Sequence, residues 1–167
     1  MVFVDGTNLF YRLRGARLRV PTFTKLFGRV ARGQLIRTYL YTTTPHHNDA
    51  LGIHGASCFD GIRVIFGTAV PLHDGNYKEK GVDALLVADL IYHAASKNCD
   101  NVAVVSTDVD FLHALQRVED FGCLTAVLAV CAEAPPALRD SCDRYICITR
   151  EQLIADGAAY EYETETT

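Results

Sequence analysis

Short apolar runs of strand character alternate with helical periodicities along almost the whole chain, and this alternation restricts the fold more than any other feature. Val102–Val105 is the clearest run: four apolar residues, three of them Val, with the length of a strand buried on both faces. Similar runs open the chain at Val2–Val4 and return at Gln34–Thr44, Ile62–Val70, Cys123–Val130 and Tyr145–Thr149. Helical patterns lie between them. Leu9, Phe10 and Leu13 share one face; Phe23, Leu26, Phe27 and Val30 share another, opened by Pro21 and stopped by Gly33. A weak helix is expected near Ala50–Phe59, and the strongest one carries Leu86, Val87, Leu90, Ile91 and Ala94 and ends near Asn98. Asp110–Phe121 is helical up to Gly122, Pro135-Pro136 starts another turn, and a short C-terminal helix precedes an acidic, frayed tail, Glu161–Thr167. Strands alternating with helices predict an α/β protein: three layers, with a central, mainly parallel sheet covered on both faces.

In such a sheet the chemistry gathers beyond the carboxyl ends of the strands, where the strand order reverses. Carboxylates stand at those ends. Asp5 closes the first run, Asp108 and Asp110 follow Val102–Val105, and Asp83 opens the strongest helix. Asp is also a favoured helix cap, so Asp108 and Asp110 read alone serve capping as well as chemistry. Asp110 can cap while Asp108 does the chemistry. Taken together, four carboxylates at one sheet edge repel one another and call for a compensating cation. Hard oxygen donors suit Mg²⁺ or Mn²⁺. Asn8 lies one helical turn beyond Asp5, placed to orient a ligand or cap the helix. Asp89, six residues after Asp83, faces elsewhere on the same helix. None of the six histidines has a partner at metal-ligand spacing, so all are expected to be structural or exposed.

Charge is distributed unevenly. Residues 1–40 hold eight Lys/Arg and one acid, leaving eight basic and 19 acidic residues in the rest. A basic lobe beside an acidic site suggests a polyanion partner. Arg12, Arg14, Arg17, Arg19 and Lys80 are the candidate phosphate contacts, and Tyr11 or Tyr77 a candidate base-stacking platform. The six cysteines show no zinc spacing. No G-x-G-x-x-G follows the first run, which argues against dinucleotide binding. The chain opens directly into a strand pattern with no charged leader, and no apolar run approaches the ~20 residues that span a bilayer. A cytoplasmic protein without membrane contact is expected.

VFVDGTNLF (2–10), KGVDALLVADL (80–90) and VVSTDVDF (104–111) together resemble the NYN domain of the PIN-like superfamily, particularly its LabA-like members. The resemblance covers about residues 1–150 and leaves 151–167 as a C-terminal helix and tail, part of the same domain or appended to it. It implies a Rossmann-like fold and a metal-dependent ribonuclease that cuts RNA endonucleolytically, with no covalent intermediate. Carried over motif by motif, Asp5, Asn8, Asp83, Asp108 and Asp110 are the implied catalytic residues. Asp5, Asp83 and Asp108 hold Mg²⁺ or Mn²⁺, and Asp110 completes the acidic cup directly or through water. RNA is the implied partner, and a homodimer stays open. The alternative is a module of the same fold that binds RNA or docks a partner without cutting. Two positions depart from the pattern: Thr107 stands where a Gly is usual and Val109 where a Ser is common, and a side chain at 107 is expected to narrow the approach. FVDGT also resembles part of the haloacid-dehalogenase phosphatase signature, but Phe3 occupies the place of its nucleophilic Asp, which closes that covalent route. A response-regulator receiver would need an acidic pair near the first strand, which Val2-Phe3-Val4 does not supply.

Overall fold

The computed structural model describes residues 1–21, 23–30, 34–43, 62–71 and 77–162. Six strands form one all-parallel sheet: β1 (Val2–Asp5), β3 (Thr38–Thr42), β4 (Ile62–Phe66), β7 (Asn101–Val105), β8 (Leu124–Val130) and β9 (Arg144–Ile148), in the order β4-β3-β1-β7-β8-β9. Numbered within the sheet this is 3-2-1-4-5-6, with the reversal between β1 and β7. There Val4 pairs with Leu40 on one side and Val105 on the other.

Alternation along the strands divides the core into two layers. Val2, Val4, Leu40, Val105 and Leu128 face α1 (Gly6–Gly15), α2 (Thr24–Phe27) and the C-terminal helix α6 (Arg150–Ala155), through Leu9, Leu13, Leu26, Phe27 and Leu153. Phe3, Tyr39, Tyr41, Val104 and Val127 face the opposite way, onto Leu86 and Leu90 of α3 (Val82–Ala95) and Leu115 and Val118 of α4 (Leu112–Asp120). A short α5 (Pro136–Arg139) starts at Pro136 as the Pro-Pro pair predicts. The three-layer α/β/α expectation holds.

Four local readings are corrected. The helix expected from Pro21 to Val30 is a single turn, Thr24–Phe27; its apolar positions are buried as expected, but Gly28 interrupts propagation. The strand expected over Ile62–Val70 breaks at Gly67 into β4 and β5 (Thr68–Pro71). A Cβ on Gly67 would lie 2.2 Å from Val82 Cγ2, so the chain passes there only without a side chain. Leaving the sheet, β5 pairs antiparallel with β6 (Tyr77–Lys80), a stretch read from sequence as the lead-in to α3. Finally, Glu161 does not fray: β10 (Tyr160–Glu161) pairs with β2 (Leu18–Arg19), and Arg150 forms an ion pair with Glu161. The helix expected near Ala50–Phe59 and the side chains of Tyr77 and Lys78 lie outside the described residues. Among the described residues no helix is long and apolar enough to cross a membrane.

His93 on α3 is structural, as expected. Its ring packs against Tyr39 at 5.1 Å and Phe3 at 6.0 Å. Burial lowers its pKa from 6.5, outweighing the opposing pull of Asp89. The unfolded chain, with an ordinary histidine, therefore takes up the proton first. Stability from this group is full above pH 6.5 and is lost as pH falls through that value. A thermal-unfolding series from pH 7 to 5 is expected to show a smaller fall in Tm for His93→Phe than for the wild type. Parallel slopes would remove His93 as the cause.

Candidate active site

Asp5 is the last residue of β1, and α1 begins directly after it. Its backbone is extended (φ −72°, ψ 96°), and its Oδ1 accepts the Asn8 backbone N–H at 2.9 Å, capping the helix. Oδ2 accepts the Ser106 hydroxyl at 2.9 Å from the turn after β7, across the strand reversal. Ser106 Oγ in turn accepts the Asp108 backbone N–H at 3.1 Å, so one hydroxyl ties the two acid-bearing turns together. Asp108 Oδ1 accepts the Asp110 backbone N–H at 3.0 Å and caps the 3₁₀ turn Val109–Phe111 that leads into α4. The expected cap changes hands: Asp108 is the cap, and Asp110 gives its backbone N–H to it.

The third acid arrives from another direction. Gly81 takes a left-handed conformation (φ 83°) at the start of α3, and Asp83 stands exposed in the first turn. A carboxylate is favoured there by the unpaired N–H groups of a 14-residue helix. Asn8 and Arg12, four residues and about one turn apart along α1, complete the ring. A cavity of about 390 Å³ is lined by Asp5, Thr7, Asn8, Tyr11, Arg12, Gly81, Val82, Asp83 and Asp108.

Four of the five implied catalytic residues therefore share one cavity. Asp110 does not line it; its side chain is exposed. Of the candidate phosphate contacts, only Arg12 lines the cavity. Arg14 sits over the Phe10 ring at 5.9 Å, Arg19 over the Tyr162 ring at 5.1 Å, and Arg17 turns the chain at φ 54° beyond the far end of α1. Lys80 ends β6 beside Gly81, exposed and outside the lining. Asp89 faces away from the cavity group, as expected, and accepts the Tyr41 hydroxyl at 2.9 Å. Burial and this bond push the Tyr41 phenol pKa upward, so Tyr41 stays a neutral donor.

Thr107 does not narrow the approach. It is only 6% exposed, lies outside the cavity lining, and its hydroxyl accepts from Arg12 Nη2 at 2.7 Å and Asn8 Nδ2 at 3.2 Å. Sequence reading also passed over Thr7 and Gly81. Thr7 follows the Asp-Gly turn; for Gly81, a glycine immediately before a helical pattern was the available signal.

The donor chemistry of the cavity fits a hard divalent cation in kind, with three carboxylates and the amide of Asn8. As the side chains stand, no three His, Cys, Asp or Glu groups among the described residues are close enough to chelate an ion. Asp83 and Asp108 would have to turn inward, which their exposed and half-buried positions permit.

No curated protein matches the chain. Its fold is similar to that of a protein of unknown function from Vibrio parahaemolyticus RIMD 2210633, known from a crystal structure (TM-score 0.68, 22% identity, covering 88% of this chain and 90% of the other). The family model of the NYN domain matches residues 1–149, a stretch that contains every acid of the cavity. The chain belongs to the NYN domain family.

Proposed function

We propose that this protein is a metal-dependent ribonuclease that hydrolyses phosphodiester bonds within RNA. The observation that carries the reading is the gathering of Asp5, Asp83, Asp108 and Arg12 on one cavity at the strand reversal. A family that belongs to the PIN-like nuclease superfamily supports it.

Asp5, Asp83 and Asp108 would hold Mg²⁺ or Mn²⁺; when bound, the cation offsets charge on the phosphate and acidifies water. Asp5 is the fixed member, because it is 5% exposed and both of its oxygens accept hydrogen bonds. Asp108 commits Oδ1 to its cap and keeps Oδ2 for the ligand side. Arg12 meets a backbone phosphate, a contact blind to sequence. Tyr11, 59% exposed at the cavity and packed edge-on to Phe10, offers a ring face to an unpaired base. The acids stand on a strand end, a helix first turn and a 3₁₀ cap, and Tyr11 and Arg12 on α1.

The test is cleavage of an end-labelled single-stranded RNA by purified protein in Mn²⁺. Internal cuts that EDTA abolishes are expected. RNA binding that weakens with salt, with no cleavage in Mg²⁺ or Mn²⁺, would replace this reading with that of a non-catalytic RNA-binding module.

A further inference from the structure

We infer that Thr107 is a positioning residue for Arg12: its hydroxyl fixes the guanidinium at the acidic cavity so that Arg12 engages a phosphate of the bound strand. This rests on the phosphodiester reading above. The observation is a buried neutral hydroxyl gripping an exposed cation. An arginine beside three carboxylates would ordinarily fold onto one of them. Here, among the described residues, Arg12 forms no ion pair with a carboxylate, and Nη2 donates instead to Thr107 Oγ1 at 2.7 Å. The remaining N–H groups of Arg12, in the planar fork that suits phosphate oxygens, are left for the ligand.

The grip is itself braced. Thr107 N–H donates to Asn8 Oδ1 at 3.3 Å, and Asn8 Nδ2 returns a bond to Thr107 Oγ1 at 3.2 Å. Asn8 is one turn before Arg12 on α1, and its own backbone N–H is held by Asp5. Acid, amide, hydroxyl and cation thus form one connected set spanning the two turns at the strand reversal. A glycine at 107 would leave Arg12 without this acceptor. Holding a long side chain in place in advance removes an ordering cost that binding would otherwise meet.

The test is a double-substitution cycle read by affinity for a fluorescent single-stranded RNA in EDTA, so that cleavage plays no part. Thr107→Val, which keeps the shape and loses the hydroxyl, is expected to weaken binding by about fivefold. Arg12→Ala is expected to weaken it at least as much and to reduce the salt slope by about 0.7. In the Arg12→Ala background Thr107→Val should then have no further effect. Thr107→Ser should recover most of the loss, and Thr107→Ala gives the same cycle if the valine form does not fold. Equal losses in both backgrounds, no loss, or no RNA affinity in the wild type would overturn the assignment. The two readings separate cleanly: cleavage in Mn²⁺ without coupling defeats only the Thr107 role, and coupling without cleavage defeats only the nuclease.

Discussion

Asp5→Asn is expected to remain folded and to cut single-stranded RNA in Mn²⁺ at least about a hundredfold more slowly than the wild type. The amide that replaces the carboxylate still offers an oxygen to the Asn8 backbone N–H, so α1 keeps its cap. The amide nitrogen then faces Ser106, whose hydroxyl loses its acceptor, so the cost to folding is about 1–2 kcal/mol. What disappears is a negative charge held at 5% exposure between two turns. Asp108→Asn should behave in the same way, since its cap bond to Asp110 also survives as an amide oxygen. Asp110→Asn supplies the sharper comparison: outside the cavity lining, it should cost less than about threefold. A large loss there would mean that this carboxylate swings inward on binding. Initial rates beside thermal-unfolding curves make the measurement, and unchanged rates in Asp5→Asn and Asp108→Asn together would assign any cleavage to a contaminant.

Gly6→Ala should be the most damaging small substitution near the site. A Cβ there would stand 2.5 Å from the Tyr41 backbone oxygen and 3.2 Å from Thr42 Cβ. A sheet backbone atom cannot rotate out of the way, so α1 would have to lift from β3. Overpacking of this kind costs about 3 kcal/mol, or about 6–12 °C in Tm at this chain length. Because Asp5 caps α1 and Asn8 and Arg12 ride on it, cleavage should fall with stability. Gly15→Ala is the matched control. Nothing lies within 4 Å of its added carbon, and alanine should stabilise the helix by up to about 1 kcal/mol. A wild-type Tm for Gly6→Ala would show that the helix and strand approach less closely than described.

The architecture was legible because its signals are local. Val2–Val4 and Val102–Val105 look like buried strands, and Leu86, Leu90 and Ala94 like one face of a helix, whatever surrounds them. The β5–β6 hairpin was not, since Lys78, Glu79 and Lys80 carry no apolar alternation and become a strand only by pairing with residues 68–71. The same division applies to the site. Asp5, Asp83 and Asp108 could be placed from sequence because each marks the end of a strand or the first turn of a helix. Asp110 lies outside the lining because the tight turn after Asp108 sends two acids, two residues apart, to different surroundings. Thr107 reads from sequence as an obstruction at the approach because its partner Arg12 lies 95 positions away, and the adjacency of β1 and β7 is what brings them together.

An all-parallel sheet also gives the molecule an electrical direction. The strands of the sheet all end at the same edge, so α1 starts where Asp5 stands, and α3, arriving from the β5–β6 hairpin, brings its N-terminal end and Asp83 to the same cavity. The partial positive ends of two helices thus share one small space with three carboxylates and a guanidinium. Before any ligand arrives, the backbone already offsets part of the repulsion that such crowding creates.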